Sequence, residues 1–161
     1  MDDEERGFDV TVTRASRKEA QLFRDVIVAY VQETKAVSTN GTLRRTLPWA
    51  SEAIDDMGVW PFWKIGVVND ATGDSSKLVI NRALTTPTTL HGRGGRTYLA
   101  YDLGKGCLVF LKDSWRGDGH GMRPEFRTYQ ILAEHSVPHI PRLLYGGDVL
   151  YWTPSETCKR A

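Results

Sequence analysis

LHGRGGRTYLAYDLGKGCLVFLKDSWRGDGHGMRPEFRTYQILAEHSVPHIPRLL, residues 90–144, is the stretch from which the fold of this chain is read. It opens on a glycine-rich turn, His91-Gly92-Arg93-Gly94-Gly95-Arg96. Two segments rich in β-branched, aromatic and aliphatic residues follow, 97–102 and 107–112. Gly104-Lys105-Gly106 lies between them, which reads as a hairpin. Residues 122–135 carry apolar side chains at helical spacing and start near Pro124, a residue suited to a first helical turn. Val137-Pro138-His139-Ile140-Pro141 stops that helix, because a residue before proline is pushed out of the α region. Residues 143–151 read as a further strand, broken by Gly146-Gly147.

Upstream of this stretch, Ala20, Phe23, Val26, Ile27, Tyr30 and Val31 recur at helical spacing, which predicts a helix over 16–35. Ser16 fits its N-cap, and Glu19 completes a capping box. Residues 36–47 are polar and contain Gly41, so they read as a loop, and 49–56 as a short helix. From Phe62 the period changes. Residues 62–69 and 77–84 read as two strands, with the turn cluster 70–76 between them. Residues 85–89, with Pro87 at their centre, link this hairpin to the glycine turn. Helix, hairpin, hairpin, helix, strand predicts an α+β fold, an antiparallel sheet with helices packed on one face.

Three features of the stretch carry chemistry. Gly92, Gly94 and Gly95 let a phosphate approach the main chain closely, and Arg93 and Arg96 add positive charge; the same run also reads as a plain flexible turn. Strand alternation puts Leu108, Phe110 and Lys112 on one side and Cys107, Val109 and Leu111 on the other. Lys112 thus leaves an apolar strand and needs a carboxylate or an anionic ligand, unless it marks the strand's wet end beside Asp113 and Ser114. At about 100° per residue, Phe126, Tyr129, Leu132 and Ala133 lie within about a quarter-turn of Glu125. Glu125 therefore sits on the rim of the helix face expected to pack on the sheet, where it can pair with Lys112; a solvated Glu125 is the alternative. Glu134 lies on the opposite side.

Glycine turn, strand, strand lysine and helix glutamate, in that order, match the small lobe of a protein kinase. The wording of residues 91–102 (HGRGGRTYLAYD), 107–116 (CLVFLKDSWR) and 123–145 (RPEFRTYQILAEHSVPHIPRLLY) resembles the fungal-type protein kinase family of basidiomycetes, most distinctively at Leu-Lys-Asp-Ser-Trp-Arg, 111–116. The resemblance implies a kinase N-terminal-lobe fold and ATP-dependent transfer to protein serine or threonine, with ATP and Mg as cofactors. It makes Lys112 the lysine that orients the nucleotide phosphates and Glu125 its helix partner. Gly92 and Gly94, with Gly95 beside them, form the phosphate-covering turn, and Leu99 covers the adenine ring. Thr97 stands in place of the turn's third glycine, and Phe110 in place of a small residue two before the lysine. Both changes act against ordinary ATP binding. No His-Arg-Asp catalytic loop and no Asp-Phe-Gly metal-binding motif follows Glu125 in the 36 residues that remain. The expectation is thus a kinase fragment, inactive alone, with no catalytic residue of its own. The alternatives are a pseudokinase-like or non-catalytic protein-interaction module and a kinase-related small-molecule phosphotransferase.

Residues 1–15 read as a flexible acidic N-terminus. Residues 16–152 read as the incomplete kinase-like domain, divided into the upstream helix and hairpin (16–89) and the small-lobe core (90–152). Residues 153–161 read as a polar tail. The 161 residues are 40% hydrophobic and 25% charged, a globular composition. A net charge of +1 gives no electrostatic case for nucleic acid or a membrane surface. The acidic start has no apolar h-region, so neither secretory leader nor membrane span is expected, and an intracellular protein, cytoplasmic or nuclear, is. Cys107, expected buried, and Cys158 make no disulfide framework. His91, His120, His135 and His139 gather no set of ligands, so no metal site is expected. Partners, if the lobe stands alone, are proteins or a second copy, met through Trp115, Tyr145 and Trp152.

Overall fold

Alternation along the strands builds two cores back to back. The computed structural model describes residues 12–37, 54, 57–70, 72–85, 95–114 and 123–147. In chain order these form β1 (Val12–Arg14), α1 (Arg17–Val37), β2 (Trp63–Val68), β3 (Ser75–Thr85), β4 (Gly95–Asp102), β5 (Cys107–Ser114) and α2 (Glu125–Glu134). The five strands make one antiparallel sheet in sequence order, β1-β2-β3-β4-β5. The α+β class and the antiparallel sheet are as expected.

One face of the sheet carries Val79, Leu99 and Tyr101, with Leu108 beside them. Ala20, Phe23 and Ile27 of α1 close over it, together with Met57 and Phe62. Their spacing of three and four residues places them on one stripe of the helix. Phe23 meets Phe62 edge-on, with ring centroids 5.9 Å apart. The other face carries Leu78, Ile80 and Ala100, flanked by Ile65, Val67, Tyr98, Val109 and Leu111. The helix that builds the core is therefore α1, while α2 buries none of its residues.

The start of α1 follows the expected capping box. The Ser16 amide donates to Glu19 Oε2 at 2.7 Å, and the Glu19 amide donates to Ser16 Oγ at 3.2 Å. The β4–β5 turn is tight. Gly106 has φ +66°, a conformation glycine adopts without a Cβ clash, and its amide donates to the Asp102 carbonyl at 2.8 Å. The β3–β4 register shifts between Ile80 and Thr85, irregularities that mark the approach to the glycine turn.

Several expectations need correction. Val12–Arg14, placed in the acidic tail, pair with β2 as an edge strand. Residues 143–147, expected to begin a strand over 143–151, form none; Gly146 and Gly147 weaken a ladder there, and 148–151 lie outside the described residues. Cys107 is exposed, because it follows Gly106 at the open end of β5. α2 starts at Glu125 rather than at 122, with Pro124 in the capping position and no side-chain cap. Of the helix expected at 49–56, only Ile54 is described, in helical conformation. No helix among the described residues is long and apolar enough to cross a membrane.

Candidate functional site

Strand β5 and helix α2 bring two expected residues together. Lys112, opposite Thr97 of β4, extends its ammonium to both oxygens of the Glu125 carboxylate, 2.8 Å from Oε1 and 2.6 Å from Oε2. Glu125 is the first residue of α2, where unpaired backbone N–H groups and the helix dipole favour a negative charge. The pair stands in the open, its side chains 46% and 41% exposed. Such a pair stabilises a fold by about 0–1 kcal/mol. Its weakness as a staple is compatible with another use: the ammonium carries three donors and is reachable by an anion from solvent.

The other expected residues are placed differently. Gly92 and Gly94 lie outside the described residues; Gly95 opens β4, opposite Ser114. Leu99 is 8% exposed and belongs to the core beneath α1. It is committed to that core and offers no surface to an adenine ring. Phe110 is 66% exposed, so its phenyl ring stands in solvent on the strand that carries Lys112. The expected packing face of α2 is only half-buried at Phe126, Tyr129 and Leu132, and Ala133 is exposed. His91, His120, Trp115, Trp152 and Cys158 lie outside the described residues. Among the described residues, no group of three or more His, Cys, Asp or Glu gathers.

A second polar site lies at the opposite end of the β4–β5 hairpin, around Asp102, which is fully buried. Asp102 Oδ1 accepts from the Ser76 hydroxyl at 2.6 Å and from the amides of Gly104 and Lys105 at 2.9 and 3.1 Å. Asp102 Oδ2 accepts from the Tyr145 hydroxyl at 2.8 Å. Burial pushes this carboxyl up, but the hydrogen bonds from Ser76, Tyr145 and the two amides together outweigh it, and the carboxyl lies below its ordinary range. Lys105 holds its ammonium 4.7 Å from the Tyr145 ring centre. Tyr145, expected on an open face, is instead half-buried and bonded. The one sequence signal for this site is an acid ending an apolar strand just before Leu-Gly-Lys-Gly.

A third contact resembles the first. Lys64 of β2 donates to Glu19 Oε1 of α1 at 2.9 Å, with side chains only 23% and 20% exposed. The bond from Lys64, joined by those from Ser16, holds the Glu19 carboxyl down at about 2.

Fold and site together define an α+β protein in which a strand lysine is paired to the leading glutamate of a helix. No protein-family model, no curated protein and no solved structure matches the chain.

Proposed function

We propose that this chain is small-lobe material of a kinase-like phosphotransferase, similar to the fungal-type protein kinases, in which Lys112, held by Glu125, binds the phosphates of ATP. The single observation that carries this is the two-point contact between Lys112 and Glu125 at 2.6–2.8 Å, on a strand and a helix in the order that the sequence resemblance requires. A glutamate at that position keeps the lysine extended, so that its charge meets the α- and β-phosphate oxygens without first having to be ordered.

The residues present fit the phosphates. They do not fit the adenine, since Leu99 is enclosed in the core, and no Asp-Phe-Gly motif offers a magnesium ligand. Transfer of a phosphoryl group also needs a base, and no His-Arg-Asp motif supplies one within these 161 residues. The proposed role of this segment is therefore phosphate orientation, with no turnover by the 161 residues alone.

The test is a calorimetric titration of ATP into the chain and into Lys112→Ala. Loss of one charge-assisted bond to phosphate is expected to weaken binding about tenfold, roughly 1.4 kcal/mol. Equal affinity in both proteins would sink the proposal.

A second reading, a non-catalytic interaction module, draws on one observation: the exposed Phe110 ring on β5, the last strand of the described sheet. Sedimentation velocity at high concentration separates the two, with a Phe110-dependent self-association expected for the module and a clean monomer against it.

A further inference from the structure

The Lys112–Glu125 pair is too exposed to place the helix that carries Glu125, yet the helix has a definite place. Something else sets it. α2 has no buried residue. Among the described residues, the chain that returns after it comes into contact with its first turn.

Residues 144–147 come back to the turn end of the sheet and are fixed there by three bonds. Asn69 Nδ2 donates to the Leu144 carbonyl at 3.4 Å. The Asp70 amide donates to the Gly146 carbonyl at 3.1 Å. The Tyr145 hydroxyl donates to buried Asp102 at 2.8 Å, the shortest of the three and the only one made to a charged group.

Gly146 is then wedged against α2 itself. A Cβ built on it would lie 2.3 Å from Phe126 Cβ and 2.7 Å from Phe126 Cγ. Phe126 is the residue next to Glu125. On the other side, a Cβ on Gly147 would lie 2.4 Å from Asp70 Oδ1. At Gly146 and Gly147 the strip is therefore a spacer of minimal thickness between the β2–β3 turn and the first turn of α2, and beside Phe126 only the hydrogen side chain of Gly146 fits.

We infer that Tyr145 and Gly146 are positioning residues for the Lys112–Glu125 pair: the Tyr145–Asp102 bond seats the strip, and the strip sets where Glu125 meets Lys112. The inference rests on the reading of that pair as the phosphate-orienting group for its functional meaning, but its geometry does not depend on nucleotide. Asp102 then links the two ends of the β4–β5 hairpin. At one end it closes the turn through Gly104 and Lys105; through Tyr145 it governs the helix that reaches the other end.

The test needs no ligand. Lys112 in the full 161-residue chain is labelled competitively with acetic anhydride, and its acylation rate is read by mass spectrometry. Lys64, bonded to Glu19 elsewhere in the fold, serves as the internal control. Glu125→Gln frees the ammonium and raises the Lys112 rate about two- to fivefold, the range that an exposed ion pair spans. Tyr145→Phe, which keeps the ring and drops one hydroxyl, is expected to raise the Lys112 rate by a similar factor with Lys64 unchanged. Gly146→Ala is expected to do the same by displacing Phe126. In the Glu125→Gln background neither change adds anything, because both act through that carboxylate.

A Lys112 rate unmoved by Tyr145→Phe and Gly146→Ala overturns the inference. So does an additive effect in the Glu125→Gln background. A rise at Lys64 equal to that at Lys112 also overturns it, since the variant would then loosen the sheet as a whole. Failure of the ATP titration at Lys112→Ala, with these rates as expected, removes the phosphate reading and leaves the seat standing.

Discussion

Among the described residues, two lysine–glutamate pairs join a strand to a helix, and they differ in burial and in the further bonds around them. Glu19 and Lys64 meet where α1 covers the sheet; both are mostly screened from water, and Glu19 is bonded again by Ser16. Lys112 and Glu125 meet where α2 hangs beside the sheet without a core of its own, and both are more than 40% exposed. The first pair is embedded in a capping box and shifts the titration of its acid strongly. The second stands exposed to solvent. The lesson is that the residue pair does not decide the role; the surrounding burial and second bonds do.

The largest test of this contrast strikes the core under α1. Phe23→Ala removes a ring packed between Ile27 and Phe62 and should cost about 4 kcal/mol, as large-to-small core changes do. Urea denaturation gives the value. A loss below about 1 kcal/mol would mean that α1 is not what holds the sheet together.

Asp102→Ala comes next. It removes the acceptor of a serine hydroxyl, a tyrosine hydroxyl and two amides, all in part-buried bonds, and should cost about 3 kcal/mol. Asp102→Asn, which keeps one acceptor, should recover part of that loss. Indistinguishable melting of Asp102→Ala and the unmutated chain would show that the network contributes nothing.

Glu19 provides the pH test. Its carboxyl titrates at about 2 in the fold against an ordinary 4.5, so its contribution is complete above pH 4.5 and disappears as the pH falls towards 2. Asp102, also depressed, acts in the same direction below its own ordinary 3.8. Glu19→Gln should cost about 1–2 kcal/mol at neutral pH, after allowance for partial solvent screening, and should flatten the acid limb of the stability curve. Parallel acid limbs for the two proteins would contradict the assignment.

The smallest stability effect belongs to the pair with the larger proposed role. Lys112→Ala should change stability by about 0–1 kcal/mol, and less in high salt. A loss as large as that of Glu19→Gln would erase the distinction between the two pairs.

Much of the sheet is legible in the sequence. Apolar alternation marks β2 to β5, and the Gly104-Lys105-Gly106 run marks their last turn. Ser16 and Glu19 announce the start of α1 three residues apart. The contact between Lys112 and Glu125 follows from a strand lysine and a helix-start acid in sequence order. Other parts escape for physical reasons. β1 is three residues long, and its signal, Val10 and Val12 alternating with threonines, sits beside an acidic run that reads as tail. The pairing of Glu19 with Lys64 spans 45 residues and depends on how α1 crosses the sheet, which no local pattern specifies. Asp102 looks like any acid at a strand end; only folding brings Ser76 and Tyr145 to it. Residues 143–147 have strand-like composition, but tertiary seating uses them as a thin spacer. Leu99 has the residue type expected to cover a base, while burial under α1 commits it to the core.

The sheet's neighbour-by-neighbour strand order has a consequence for how the chain is made. β2 to β5 can close hairpin by hairpin with short loops, whereas β1 must wait for a partner 53 residues away, Val12 for Ile65. Low sequence separation favours rapid closure, so the hairpins should form early and α1 dock late. During synthesis from the amino end, the cluster around Phe23 and Ile27 stays incomplete until Leu99 and Tyr101 have followed Phe62 and Val79. Ribosome-arrested chains ending before residue 95 should therefore remain protease-sensitive in α1, and resistance there at that length would reverse the order of events.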